Sequence, residues 1–213
     1  MQVTKLITRR TLLASVALLT SGIGFSSLTS AAAPAIGQPA PTFKSVDSNG
    51  QAVSLDQYRG KTVVLEWTNH ECPFVKKHYG SNNMQTLQKE AASQGVVWLS
   101  IISSAPGQQG FVNAADANRL SKERGAAPAH ILLDPSGELG RLYNARTTPH
   151  MFVIDPAGTL VYMGGIDDKP TAQPADLATA KNYVRSALGD LSAKRAVATP
   201  VSQPYGCSVK YTS

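Results

Sequence analysis

Residues 62–79, TVVLEWTNHECPFVKKHY, restrict the fold more than any other part of the chain. Val63, Val64, Leu65 and Trp67 suit a buried strand, with Glu66 as an interruption. Four polar residues then lead to Cys72, Pro73 and a helix-compatible segment. A cysteine between a strand and a helix sits where the first helical N–H groups are unpaired and the helix dipole favours negative charge. Its thiol therefore ionises more easily than a free cysteine. Pro73 fits a first helical turn, where a missing N–H costs nothing. Cysteines are often structural and buried, but Asn69, His70, Glu71 and Lys76 take this one out of an apolar run. A reactive thiol is the expectation.

The 213 residues suffice for one domain with extensions and a proper core. Residues 1–35 read as a separate export signal. Lys5, Arg9 and Arg10 precede an apolar stretch from Leu12 to Ile23, followed by the small residues Ser30 to Ala33. The apolar stretch is short of the ~20 residues that span a membrane. Thr8-Arg9-Arg10-Thr11-Leu12-Leu13 also resembles a twin-arginine signal, and the ordinary secretory route stays open beside it. Export gives a periplasmic destination, with membrane anchoring by an uncleaved signal as the minor alternative. Without that segment, which holds three of the twenty basic residues and no acidic ones, the formal charge falls from +6 to +3. So mild a balance gives no support to nucleic-acid binding. The two cysteines, Cys72 and Cys207, both lie in the remaining chain. Two alone do not make a disulfide scaffold, so they point to chemistry.

From residue 36 a proline-fixed lead-in reaches a hairpin over 43–55 that turns at Ser48-Asn49-Gly50. The strand at 62–67 follows. The helix after Cys72 is expected to break near Gly80-Ser81, with Asn82 or Asn83 capping a second helix that ends at Gln94. Val96 to Ile102 is apolar enough for a strand buried on both faces. A helix over 114–124, a strand over 130–133, a short helix over 139–143 and strands over 151–154 and 159–163 come next. A long helix is expected over 175–194, and residues 195–213, without periodicity, read as a tail carrying Cys207. Strands alternating with helices indicate a layered α/β domain with parallel pairing in its centre. The two hairpins, 43–55 and 151–163, make the sheet mixed.

The strand–Cys–Pro–helix unit, followed by Thr148-Pro149 and the strand–turn–strand PHMFVIDPAGTLVYMGG, resembles the thioredoxin fold. The lead-in IGQPAPTF and the run VSLDQYRGKTVVLEW narrow the resemblance to redoxins of the alkyl hydroperoxide reductase/thiol-specific antioxidant family. It covers about 36–190 within a domain of 36–194. NHECPFVKKHY and the ending PYGCSVKY are similar to a bacterial peroxiredoxin-like subgroup. The resemblance implies a thioredoxin-like mixed sheet flanked by helices. It also implies a cis Pro149 that turns the Thr148 backbone toward Cys72, so that both residues wall the site.

The departures from the family pattern are as informative. Val75 stands where a Cys-x-x-Cys pair would have its second thiol. Asn69 occupies the threonine place of Pro-x-x-x-Thr-x-x-Cys and Leu65 the proline place. Arg146 is the candidate for a thiolate-steadying arginine, and His70 and His150 are candidates to tune the thiol or shuttle its proton. His78, after Lys76 and Lys77, reads as lying on a solvated face, and His130 as structural. The implied activity is peroxide reduction by Cys72, with Cys207 as resolving cysteine within the chain or across a homodimer, and an external thiol reductant. No cofactor or metal is expected. Thiol–disulfide exchange, or a non-enzymatic metal- or partner-binding module built on Cys72 and nearby histidines, are the alternatives.

Overall fold

A computed structural model describes residues 1–2 and 33–212, so the expected export segment falls almost wholly outside the described residues. The first strands, β1 (Lys44–Val46) and β2 (Ala52–Ser54), form the expected hairpin. The hairpin makes its own two-stranded sheet and meets the main one through a bridge from Asp47 to Leu132, Ser48 N donating to Ile131 O and His130 Nδ1 pairing with Asp47 Oδ2 at 2.7 Å. A 3₁₀ turn at Leu55–Tyr58 then delivers the chain to β3 (Val63–Trp67). Helices α1 (Pro73–Gly80) and α2 (Asn83–Ser93) follow. After them come β4 (Val97–Ile102), α3 (Ala114–Glu123), β5 (His130–Leu133) and α4 (Glu138–Leu142). The chain continues through β6 (Thr147–Thr148), β7 (His150–Ile154), β8 (Leu160–Gly164), α5 (Tyr183–Ser192) and β9 (Cys207–Ser208).

The five-stranded sheet has the order β5-β4-β3-β7-β8. β3 lies parallel to β4, and β4 to β5. β7 lies antiparallel to both β3 and β8. The expected mixed α/β sheet is therefore present, but its antiparallel pairing comes from β7 and β8 alone, because the 43–55 hairpin, expected to add to it, stays in a sheet of its own. Central position explains why β3, β4 and β7 are nearly continuous apolar runs, since both of their faces are covered. Leu65, Trp67, Leu99, Ile101, Phe152 and Tyr143 fill one face. Val64, Trp98, Met151, Val153, Met84, Val184 and Cys72 fill the other.

Glu66 is the exception within β3, and it is fully buried. Its carboxyl group accepts hydrogen bonds from Trp98 Nε1 at 2.8 Å, Tyr79 Oη at 2.9 Å, Ser100 Oγ at 3.0 Å and Gln88 Nε2 at 3.2 Å. What reads in sequence as an interruption is the acceptor that ties β3 to β4, α1 and α2.

Three local expectations change. Asn82 precedes α2 in a left-handed conformation with no side-chain cap bond, while the Asn83 amide meets His78 Nδ1 at 2.8 Å. The helix expected over 175–194 is two elements, a 3₁₀ turn at Pro174–Thr179 and α5. Asn182 separates them: its side chain accepts from the Arg185 N–H, an N-cap that starts a new helix. Residues after 195 do not hang free. Ser202 N donates to Met163 O, Val209 N donates to Arg146 O, and Tyr211 Oη donates to Ala145 O. Among the described residues no helix is long and apolar enough to cross a membrane.

Replacing Glu66 with leucine strands four buried donors, each worth ~1–3 kcal/mol when unsatisfied. Glu66→Leu is expected to lose about 4 kcal/mol in urea unfolding, and a loss below about 1 kcal/mol contradicts the tie.

Candidate active site

Cys72 is the N-cap residue of α1, in extended conformation with Pro73 at the first helical position. The turn before it is built by Asn69, which is buried. Asn69 O accepts from Cys72 N at 3.1 Å, Asn69 Oδ1 accepts from Glu71 N at 2.9 Å, and Asn69 Nδ2 donates to Gln109 O at 3.2 Å. A Cβ on Gly110 would lie 2.2 Å from the Asn69 amide, so that glycine admits the close approach. Asn69 thus shapes the loop that presents the sulfur.

The opposite wall is the Thr148–Pro149 peptide, which is cis. The Thr148 carbonyl oxygen lies 3.1 Å from Cys72 Sγ. Thr147 and Thr148 pair antiparallel with Ser208 and Cys207, so β9 is laid along the wall. That pairing needs Gly206, at φ +130°, because a Cβ there would lie 2.0 Å from the Thr148 carbonyl oxygen. The pairing brings the two sulfurs to 2.8 Å within one chain, although their residues are 135 positions apart. Both are free thiols, against the ~2.05 Å of a disulfide.

Cys72 is fully buried and Cys207 half-buried. Burial opposes ionisation of Cys72, but the hydrogen bond from the Cys207 side chain and the N–H groups of Val75 and Cys207 outweigh it. Its pKa lies below the ordinary thiol value. Cys207 is displaced the other way, raised by burial, by its hydrogen bond to Cys72 and by the charge there. The opposite displacements make Cys72 the more readily ionised of the two thiols, with Cys207 placed to donate to it once it ionises.

A model of the AhpC/TSA family matches residues 36–163. The chain belongs to that family. It is 29% identical over 106 residues to a thiol peroxidase of Mycobacterium tuberculosis, a match covering 49% of this chain and 58% of that protein. The chain thus spans little more than half the length of that relative. It is 28% identical over 144 residues to the thioredoxin-like protein YneN of Bacillus subtilis, covering 66% of this chain and 79% of that one. An uncharacterized conserved protein from Geobacillus kaustophilus superposes with a TM-score of 0.71 at 26% identity, over 84% of this chain and 93% of that chain. The fold is thioredoxin-like.

Not every residue singled out in this AhpC/TSA sequence reaches the sulfurs. His150 pairs with Trp67 across β3 and β7, and its ring packs on Phe152 at 4.5 Å, on the sheet face opposite Cys72. Its Nδ1 accepts from Arg146 N at 3.3 Å, and burial with the Arg146 charge pulls its pKa down to about 3. His150 and the exposed Arg146 line a cleft of about 100 Å³ with Tyr143 and Pro204. His70 lines a small hollow with Tyr79 and Arg124, and burial lowers its pKa. Among the described residues no three His, Cys, Asp or Glu side chains converge as metal ligands.

The sequence also concealed a cluster. His78, expected on a solvated face, is fully buried and Lys77 nearly so. They face Asp167 and Tyr205, and the tail that covers them has no periodicity to reveal it. Burial pulls His78 down to about 4 against the charge of Asp167.

Two expectations follow from these environments. Cys207→Ala removes a donor from the thiolate, so the Cys72 pKa moves up, read as the pH midpoint of thiolate absorbance near 240 nm. An unmoved midpoint contradicts the shared hydrogen bond. Separately, His78 and His150 have folded pKa values below the ~6.5 of an unfolded histidine. The unfolded chain therefore takes up protons first as pH falls. Stability is intact above ~6.5 and decreases toward pH 4, by up to about 1.4 kcal/mol per pH unit for each histidine. Urea midpoints measured from pH 7 to 4.5 should fall, and a flat series contradicts neutral burial.

Proposed function

We propose that this protein is a thiol-dependent oxidoreductase, a peroxiredoxin-like peroxidase with Cys72 as nucleophile and Cys207 as resolving cysteine. The observation that carries the reading is the pair itself, two thiols held 2.8 Å apart with pKa values displaced in opposite directions. Cys72 thiolate attacks the peroxide O–O bond. An S–O bond forms, the O–O bond breaks, and the leaving oxygen takes a proton to depart as water or alcohol. Cys72 is then a neutral sulfenic acid, so the charge that held Cys207 protonated is gone. Cys207 attacks Cys72 Sγ, the S–O bond breaks, hydroxide leaves as water with the Cys207 proton, and a disulfide remains. Two equivalents of an external thiol reductant restore both thiols and are themselves oxidised to a disulfide.

Walls for the reaction come from Thr148 and Pro149, and Asn69 fixes the approach of the Cys72 loop. The within-chain distance supports resolution inside one subunit, with no need of a dimer. No cofactor enters the cycle. The positively charged start, apolar middle and small-residue run of residues 1–35 support an exported, periplasmic protein.

One observation favours a second reading. Cys207, half-exposed, lies 2.8 Å from Cys72, an arrangement in which Cys72 forms a mixed disulfide with a client and Cys207 releases it by thiol–disulfide exchange.

Adding a small excess of hydrogen peroxide to the reduced protein and mapping its cysteines by mass spectrometry separates the two. The peroxidase reading expects a rapid Cys72–Cys207 disulfide in the monomer, a sulfenic acid at Cys72 in Cys207→Ser, and no peroxide consumption in Cys72→Ser. Thiols that survive peroxide but are oxidised promptly by glutathione disulfide transfer the assignment to exchange.

A further inference from the structure

Helix α1 carries more than Cys72. Five and six residues further on are Lys77 and His78, both buried and both turned toward Asp167. Lys77 Nζ donates to Lys169 O at 2.8 Å and lies 3.7 Å from Asp167 Oδ2. His78 Nε2 lies 3.8 Å from the same oxygen, and its Nδ1 meets the Asn83 amide. Into this group reaches Tyr205, from the segment otherwise read as an unstructured tail. Tyr205 Oη donates to Asp167 Oδ1 at 2.5 Å and lies 3.3 Å from His78 Nε2 and 3.4 Å from Lys77 Nζ. Its ring meets Phe74 edge-on, with centroids 5.9 Å apart, and Lys77 Nζ lies 5.3 Å from its centroid.

Tyr205 is two residues before Cys207, and its seat is five to six residues after Cys72. Along a helix that separation is about 7.5–9 Å. Two residues of extended chain cover about 7 Å. A tyrosine held on the body of α1 therefore returns the next-but-one residue of the tail to the N-terminus of the same helix, where Cys72 is the cap. Buried charge is costly unless it is paired and hydrogen-bonded. Here the paired charges present a specific acceptor to a specific hydroxyl, which a purely apolar seat would not do.

We propose that Lys77, His78 and Asp167 form a built seat for Tyr205, and that Tyr205 is a positioning residue holding Cys207 in bonding reach of Cys72. This rests on the reading of Cys207 as the partner of Cys72, but not on peroxide being the oxidant. The Gly206 pairing with Thr148 sets the last step of the approach, while the Tyr205 seat keeps the segment there between encounters.

The test is the effective concentration of Cys207 at Cys72, measured by equilibrating the full chain in glutathione/glutathione disulfide buffers and quantifying the Cys72–Cys207 disulfide by mass spectrometry. Tyr205→Phe keeps the ring contacts and removes only the hydroxyl. Loss of a hydrogen bond to a charged group is expected to lower the effective concentration about tenfold. Tyr205→Ala, which also removes the ring, is expected to lower it further, with the Cys72 sulfenic acid accumulating as a dimedone adduct after one equivalent of peroxide. Asp167→Asn should act in the same direction as Tyr205→Phe, and the double variant should lose less than the sum of the two.

Circular dichroism and thermal midpoints establish that each variant is folded. Wild-type effective concentration in folded Tyr205→Phe and Tyr205→Ala overturns the proposal. If peroxide leaves Cys72 untouched in the native protein while the glutathione titration shows the loss, the seat stands and the peroxidase reading fails. If peroxide oxidises Cys72 and both variants close as the native protein does, the reverse holds.

Discussion

The site depends on four backbone residues that pair at the edge of a wall, Thr147 and Thr148 with Ser208 and Cys207. Much of the chemistry of Cys72 depends on that pairing. It supplies the second sulfur, one of the N–H groups that favour the thiolate, and the cover that keeps Cys72 from solvent. The pairing in turn depends on a residue without a side chain, because the Thr148 carbonyl occupies the place where a Cβ at position 206 would sit. The two thiols are brought together here from positions 135 residues apart in the chain.

Around that contact the molecule spends its buried polar groups on holding segments in place. Glu66 gathers four donors from β4, α1 and α2 under the helix that presents Cys72. Lys77, His78 and Asp167 do the same for the segment that presents Cys207. Both groups lie on one face of the sheet with α1 between them, so the two thiols are positioned from a shared rigid element. Apolar packing gives the sheet its cover on both faces, while these polar groups decide which segment lies where.

How much of this the sequence disclosed depends on whether the signal was local. The buried strands are legible, since Val96 to Ile102 is an apolar run suited to a doubly covered strand and Met151 to Ile154 runs apolar up to a turn. Cys72 at a helix start was legible from Pro73 beside it. The break of the long helix at Asn182 is hidden in the sequence because apolar spacing runs through it, and a side-chain cap outweighs propensity there. His150 looked adjacent to the thiol because it follows Pro149, yet strand alternation turns it to the far face. His78 reads as solvated because nothing within a helical turn covers it, yet it and Lys77 are buried. Their cover is Tyr205, from a stretch with no periodicity, and only the assembled chain brings the two together.

The distance along the chain between the two thiols has a thermodynamic meaning of its own. A covalent link there would join residues 135 positions apart and close most of the described protein into one ring. In the chain-entropy account, closing so large a ring removes about 5 kcal/mol of freedom from the unfolded state. That is comparable to the entire net stability of a small domain. Oxidation at this site would therefore do more than record an encounter with an oxidant. It would change how firmly the whole chain is bound to its fold, coupling the electron count of two sulfurs to the folding equilibrium of the protein that carries them.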